Sequence, residues 1–146
     1  MDELDLRILR ELLRDSRQSY RKLAEILDVA VGTVQNRIRK LEKEGVIKGY
    51  TVLLDHEKLG YELTSITRIT VSKGRLVDTE KEIAEMAPVL AVYDVTGEAD
   101  IIVIAKFKSR KDLSDFTKKL LSLPYVERTN THIVLTTIKE DFRLPR

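Results

Sequence analysis

Asp28-Val29-Ala30-Val31-Gly32-Thr33-Val34-Gln35-Asn36-Arg37-Ile38-Arg39-Lys40-Leu41-Glu42-Lys43-Glu44-Gly45 is the stretch from which the fold can be read. Val31, Val34, Ile38 and Leu41 recur at spacings of 3, 4 and 3, the period of one buried helix face. The opposite face carries Gly32, Asn36, Arg39 and Lys43, flanked by Gln35 and Lys40. From Val29 to Leu41 there is no acid, but there are Arg37, Arg39 and Lys40. Gly45 suits the position just past a helix end, where a left-handed residue stops the helix cheaply. An outer face of Gly, Asn, Gln and Arg can enter a major groove and hydrogen-bond base edges. The same face also suits the solvated side of an ordinary surface helix.

The residues upstream decide between these readings. Leu4, Ile8, Leu9, Leu12 and Leu13 give a first helix an apolar stripe, and Asp2 or Asp5 at its start suits the helix dipole. Ser19 is placed to cap a second helix with Tyr20, Leu23, Ala24 and Leu27 inward. Only Asp28 to Ala30 separate Leu27 from the basic helix. Two short helices, a tight turn and a basic third helix make a helix-turn-helix. Two positions depart from the usual pattern. Ala30 stands where Ser or Thr normally caps the third helix, at a cost of about 1 kcal/mol. Asp28 stands where a turn glycine is common, and capping by Asp28 would move the helix start by a residue or two. The set expected to meet double-stranded DNA is Gly32, Thr33, Gln35, Asn36, Arg37, Arg39 and Lys40. Asn36 and Arg39 suit base edges, and Arg37 and Lys40 suit phosphates.

Charge supports this placement. The net charge is +2. Residues 1–50 hold eleven Lys/Arg against nine Asp/Glu, whereas residues 51–146 hold fifteen of each. All the excess positive charge therefore lies in the helix-turn-helix third. The excess is small, so tight DNA binding calls for paired reading heads.

Composition bounds the class. A 146-residue chain holds one medium domain or two small ones, and 42% apolar residues argue against disorder. There is no Cys, hence no disulfide framework, no Cys-based metal site and no Cys nucleophile. No apolar run approaches a membrane span and Met1-Asp2-Glu3 is acidic, so the expectation is a cytoplasmic protein without a membrane partner. His56 lies in linker-like sequence with no neighbouring ligand residues, and no metal or other cofactor is expected.

Downstream of Gly45, Val46 to Asp55 reads as a strand, either a wing or a connector. Asp55 to Gly60 reads as a linker. This divides the chain into a DNA-binding domain (1–50), a connecting strand and linker (51–60), an oligomerisation domain (61–139) and a tail (140–146). Tyr61 to Ser72 reads as a strand, and Leu76 to Ala87 as a helix with Leu76, Ile83, Ala84 and Ala87 inward. Val89 to Val95 and Asp100 to Phe107 read as strands around the turn Thr96-Gly97-Glu98-Ala99. Ser109 with Asp112 resembles a capping box, starting a helix with Leu113, Phe116 and Leu120 inward. Tyr125 to Ile138 reads as the last strand. The order is βαββαβ, so the class is α+β: a winged helix-turn-helix followed by a ferredoxin-like domain. Ile101-Ile102-Val103-Ile104-Ala105 and Ile133-Val134-Leu135 are apolar on both faces, although a ferredoxin-like sheet carries helices on one face only. A second copy packed sheet to sheet through residues 61–138 would cover the other face.

Over essentially its whole length the chain resembles the Lrp/AsnC (feast/famine) family of transcription regulators. The resemblance is carried by Leu4-Asp5-Leu6-Arg7-Ile8-Leu9, by Ile38 to Tyr50, by Val92-Tyr93-Asp94-Val95-Thr96-Gly97-Glu98-Ala99-Asp100, and by Thr129-Asn130-Thr131. It implies operator binding, modulation by an amino-acid effector, and homodimers that assemble into tetramers or octamers. It also implies an effector site at Thr96, Gly97, Glu98, Asp100, Thr129 and Thr131. Gly97 permits a tight turn with exposed backbone donors for a carboxylate, and Asp100 offers a partner to an ammonium group. A plain hairpin turn explains the same residues. Three other readings stand beside this one, of which a free-standing small-molecule sensor without DNA binding is disfavoured by Asn36 and Arg39. A second is an architectural DNA-wrapping protein without an effector. The third is an enzyme, which is disfavoured because the acids near Asp94 and Asp100 have no nucleophile or oxyanion donors beside them.

Overall fold

Asp2 starts the first helix, α1 (Glu3–Arg14), through a reciprocal pair of hydrogen bonds. Its carboxylate accepts from the Asp5 N–H at 3.0 Å, and the Asp5 carboxylate accepts from the Asp2 N–H at 2.9 Å. A computed structural model describes residues 1–145; Arg146, the last residue of the expected tail, lies outside the described residues. The chain divides into two units, residues 1–53 with the tail from Lys139, and residues 54–138. The boundary thus falls inside the segment read as a connecting strand. The tail belongs to the first unit, where Arg143 Nη1 donates to the Leu13 carbonyl at 3.4 Å.

Within the first unit, α1 is followed by α2 (Tyr20–Leu27) and α3 (Val31–Lys43). Ser19 caps α2 as expected, accepting from the Lys22 N–H at 3.1 Å. Ile8, Leu23, Val34 and Ile38 are sealed from solvent, and Leu4, Leu12, Val29 and Ile47 pack around them. Asp28 ends α2 in the left-handed region, φ 56° and ψ 52°, where its N–H donates to the Ala24 carbonyl. Asp is one of the few residues that tolerate this conformation. Asp28 therefore closes α2 and does not cap α3. That helix starts at Val31 behind Ala30, which makes no side-chain cap. Past the end of α3, Gly45 takes φ +71°. Its N–H reaches the Glu42 carbonyl at 3.0 Å, and the Val46 N–H reaches Leu41 at 2.9 Å, the paired bonds of a Schellman closure.

The stretch from Val46 to Asp55, read above as a strand, is not one. A strand needs a neighbour for its backbone, and propensity alone does not supply one. Val52, Leu53 and Leu54 are consequently exposed.

The second unit contains β1 (Leu63–Val71), α4 (Leu76–Ala84), β2 (Val89–Asp94), β3 (Ile101–Phe107), α5 (Arg110–Ser122) and β4 (Val126–Ile133). The strands form one antiparallel sheet in the order β2-β3-β1-β4, the ferredoxin-like arrangement. Ile69, Val71, Ile101, Val103, Ala105 and Phe107 lie on the face covered by Ile83, Met86, Phe116 and Leu120. Ser109 caps α5 through the Asp112 N–H at 3.1 Å, and Phe116 and Leu120 are buried as expected. On α4 the inward residues are Thr79 and Ile83, with Met86 just beyond; Ala84 and Ala87 are exposed. The reading had the helix three residues too long. β4 also stops early, at Ile133; one more bond joins the Val134 N–H to the Thr64 carbonyl, and Leu135 and Ile138 then lie in solvent.

On the other face of the sheet Ile66 and Tyr93 are exposed, while Lys106 is buried. Alternation along the strands gives this face Thr64, Ile66, Arg68 and Thr70 from β1, and Ile102, Ile104 and Lys106 from β3. β4 adds Arg128, Asn130 and His132, which stand opposite Thr70, Arg68 and Ile66. Tyr93 stands opposite Ile102 and is 45% exposed.

Candidate functional site

On α3 the apolar period puts Val34, Ile38 and Leu41 inside, at 1% exposure or less. That fixes the outward face. Gly32, Asn36, Arg39, Lys40 and Lys43 are exposed, while Thr33 and Gln35 sit at the flanks, half-buried. A Cβ added at Gly32 would meet nothing within 4 Å, so the bare backbone there faces open space. Asn36 and Arg39 offer the donor and acceptor patterns that match adenine and guanine edges. The acids near the helix end are turned to local partners. Glu42 accepts from the Tyr50 hydroxyl at 2.9 Å, and Glu44 lies 3.9 Å from the Lys40 ammonium.

Arg37, expected at a phosphate, is paired within the helical unit. Its guanidinium sits 2.5 Å from the Asp2 carboxylate and 3.1 Å from that of Asp5, whose side chain is 1% exposed. The Asp5 N–H and the Arg37 guanidinium hold the Asp2 carboxyl below its usual range. The same pairing, with Asp2 foremost, raises Arg37. Arg37 thus binds α3 to the start of α1 through Nη1, which the two carboxylates share. Arg17 and Arg21, exposed around the start of α2, went unremarked in the sequence. The first helix of a helix-turn-helix crosses the phosphate backbone, and the cation density beside the Ser19 cap was the available signal.

In the second unit the β2–β3 turn is closed by the Val95 N–H donating to the Asp100 carbonyl at 3.0 Å. Gly97 takes φ +120°, a conformation open to glycine. Asp100 is fastened to β1 twice. Its N–H donates to the Ile69 carbonyl at 3.0 Å, and its carboxylate accepts from the Val71 N–H at 2.9 Å. One carboxylate oxygen of Asp100 is therefore a clasp. The turn folds over toward β1, which brings Glu98 to 3.5 Å from the Arg68 guanidinium. Thr96, Gly97 and Glu98 are exposed at its tip.

The two halves of the expected effector site do not share a face. Thr131 stands opposite Thr67 and the two hydroxyls hydrogen-bond at 3.2 Å; Thr67 is buried. Thr129 stands opposite the buried Ile69. Both threonines thus face the helix layer. Asn130 between them faces the open side, opposite Arg68. The sequence reading missed Arg68 because a lone Arg in a β-rich run carries no motif. Its register beside Asn130 shows only in the folded sheet.

The first unit and the sheet unit are each matched by a family model. One described as winged helix-turn-helix DNA-binding matches residues 1–48, and one described as the Lrp/AsnC ligand binding domain matches residues 64–144. An uncharacterised helix-turn-helix-type transcriptional regulator of Pyrococcus furiosus is 56% identical over 144 residues, covering 99% of this chain and 97% of that one. The helix-turn-helix-type transcriptional regulator FL11 of Pyrococcus horikoshii is 35% identical over 145 residues, covering 99% and 96%. Among solved structures, a transcriptional regulator of Neisseria meningitidis in complex with L-Met is 26% identical with a TM-score of 0.91, covering 99% and 96%. A helix-turn-helix head, a ferredoxin-like sheet and these likenesses along both place the chain in the Lrp/AsnC family, as a transcriptional regulator with a DNA-binding domain and an Lrp/AsnC ligand-binding domain.

Proposed function

We propose that this regulator reads specific operator sequences through α3, and that a free amino acid bound by the sheet unit modulates that reading. The observation that carries the first half is the outward face of α3. Asn36 and Arg39 are exposed on the side opposite Val34 and Ile38, on a helix whose rotation is fixed by its buried stripe and by the Arg37 pair. Direct readout asks for such groups on an element that fits the major groove. The L-Met complex of the Neisseria regulator, together with the matched ligand-binding domain, supports a free amino acid as the effector. The protein acts in the cytoplasm, on duplex DNA, as a homodimer or a larger assembly of dimers. The sheet face away from the helices, with Ile66, Ile102, Ile104 and Tyr93, supports a second copy as its cover.

The test is a salt titration of variants on duplexes from the chain's own upstream region and on scrambled duplexes. Arg39→Ala is expected to cost roughly 1–3 kcal/mol per half-site on the operator, with little loss on scrambled DNA. Lys40→Ala is expected to weaken both about equally and to lower the salt slope by about one unit. If Arg39→Ala weakens both duplexes equally, Arg39 meets a phosphate and the assigned reading face is wrong. A parent protein that binds both duplexes alike is an architectural DNA binder, with no operator.

A further inference from the structure

Arg68 is an unusual residue for an inner strand of a sheet. It lies on β1 at the end nearest the β2–β3 turn, between Ile102 on β3 and Asn130 on β4. Its Nε is buried and has no hydrogen-bond partner. The only ion pair recorded for it among the described residues is the 3.5 Å contact to Glu98, whose side chain is 91% exposed. That contact is long and single, whereas a guanidinium matched to a carboxylate makes two short parallel bonds. The side chain is 40% exposed and one buried nitrogen is unpaired, so the guanidinium keeps donors for a carboxylate.

Glu98 supplies the opposite charge. The clasp at Asp100 fixes the root of the turn, so the Glu98 carboxylate is presented beside Arg68 while remaining open to solvent. The pair thus sets a cation and an anion side by side at the rim of the open face. An α-amino acid carries the complementary arrangement, a carboxylate and an ammonium on neighbouring atoms. Asn130, opposite Arg68, adds an amide that can donate to a carboxylate oxygen. Arg128 lies two positions along on the same face and strengthens the positive side.

We propose that Arg68 and Glu98 form a zwitterion-reading pair, with Arg68 binding the effector carboxylate and Glu98 its ammonium, so that the 3.5 Å contact opens to admit the ligand. The proposal rests on the amino-acid effector reading above. It moves the ammonium partner from Asp100, whose carboxylate is engaged by the Val71 N–H, to Glu98. It also sets a specificity rule. Both charges are needed, so the amide of the effector and its N-acetyl derivative bind poorly whatever the side chain.

The experiment starts with the full chain and the twenty proteinogenic L-amino acids in a thermal-shift screen. Calorimetry follows with the strongest binder, its amide and its N-acetyl derivative. The expected result is a loss of ten-fold or more for each derivative on the parent protein. Arg68→Gln is expected to bind the free amino acid ten-fold or more weaker and to leave the affinity for the amide unchanged. Glu98→Gln is expected to weaken the free amino acid and leave the N-acetyl derivative unchanged. Glu98 is exposed, so this variant keeps the test alive should Arg68→Gln fold poorly. An amide that binds as tightly as the acid, or a Glu98→Gln protein that binds the amino acid as the parent does, overturns the proposal while leaving the effector reading intact. A screen in which no amino acid shifts the melting curve overturns the effector reading and this assignment with it.

Discussion

Asp100→Ala separates a clasp from a ligand contact. In the folded chain the Asp100 carboxylate accepts from the Val71 N–H at 2.9 Å, at a point where the β1–β4 register shifts between Thr70 and Val71. Val71 is 8% exposed, so without this acceptor its N–H is left buried and unpaired. An unsatisfied buried donor costs roughly 1–3 kcal/mol. In a unit the size of residues 54–138, each kcal/mol shifts the melting midpoint by roughly 4–8 °C. Asp100→Asn keeps an oxygen in place and gives up only the charge assistance, a loss of under about 1 kcal/mol. The expected order of midpoints is therefore parent, then Asn, then Ala, with the Ala variant lower by roughly 4–24 °C. Scanning calorimetry of the full chain reads the midpoints, and hydrogen exchange at the Val71 amide reads the bond itself, which loses protection in the Ala variant. The Asn variant is expected to keep its response to the effector. An Ala variant that melts with the parent, or an Asn variant that melts normally but no longer responds, refutes the clasp and returns Asp100 to the ligand.

Acid is expected to weaken the helix-turn-helix unit through Asp2. Its folded-state pKa lies below the ordinary value of 3.8, so the stabilisation is complete above that value and is lost as the pH falls through the folded pKa. Urea unfolding from pH 5 down to pH 2 is expected to show this loss, and Arg37→Gln is expected to flatten it; an unchanged acid slope in the variant counts against the pairing. For the assembly, Ile66→Glu on the open sheet face is expected to shift the full chain from dimer to monomer in light scattering, and a variant that stays dimeric places the interface elsewhere.

Much of the first unit was legible because its helices carry their own periods. Val34, Ile38 and Leu41 mark one side of α3 whatever surrounds it, and Gly45 marks its end. Strands were legible where the chain itself provides their neighbours. Val46 to Asp55 has the composition of a strand and no strand partner among the described residues, so composition misled there. On α4 the apolar residues at Ala84 and Ala87 suggested an inward face, but the helix ends at Ala84 and Met86 packs in their place. Of the candidate site residues, Asn36 and Arg39 had a legible outward direction, because it follows from the helix period. The partner of Arg37 was not legible, since a basic residue at the side of a helix looks the same whether it meets a phosphate or a carboxylate on another helix. Asp100 raised the same difficulty, because a turn aspartate that clasps a backbone N–H has the same sequence signature as one that awaits an ammonium. Thr129 and Thr131 were assigned without knowledge of which face of β4 they occupy, and register alone decides that.

The Asp2–Asp5–Arg37 cluster gives residues far from the reading face a hold over what that face reads. Asp2 and Asp5 stand at the start of α1, yet through Arg37 they set how α3 is seated in the head. On the proposed reading of DNA by α3, exchanges at these two acids re-seat that helix with Asn36 and Arg39 untouched. A laboratory fusion joined at Met1 stands one residue from this cluster, so an affinity tag placed there is expected to disturb the seating of α3.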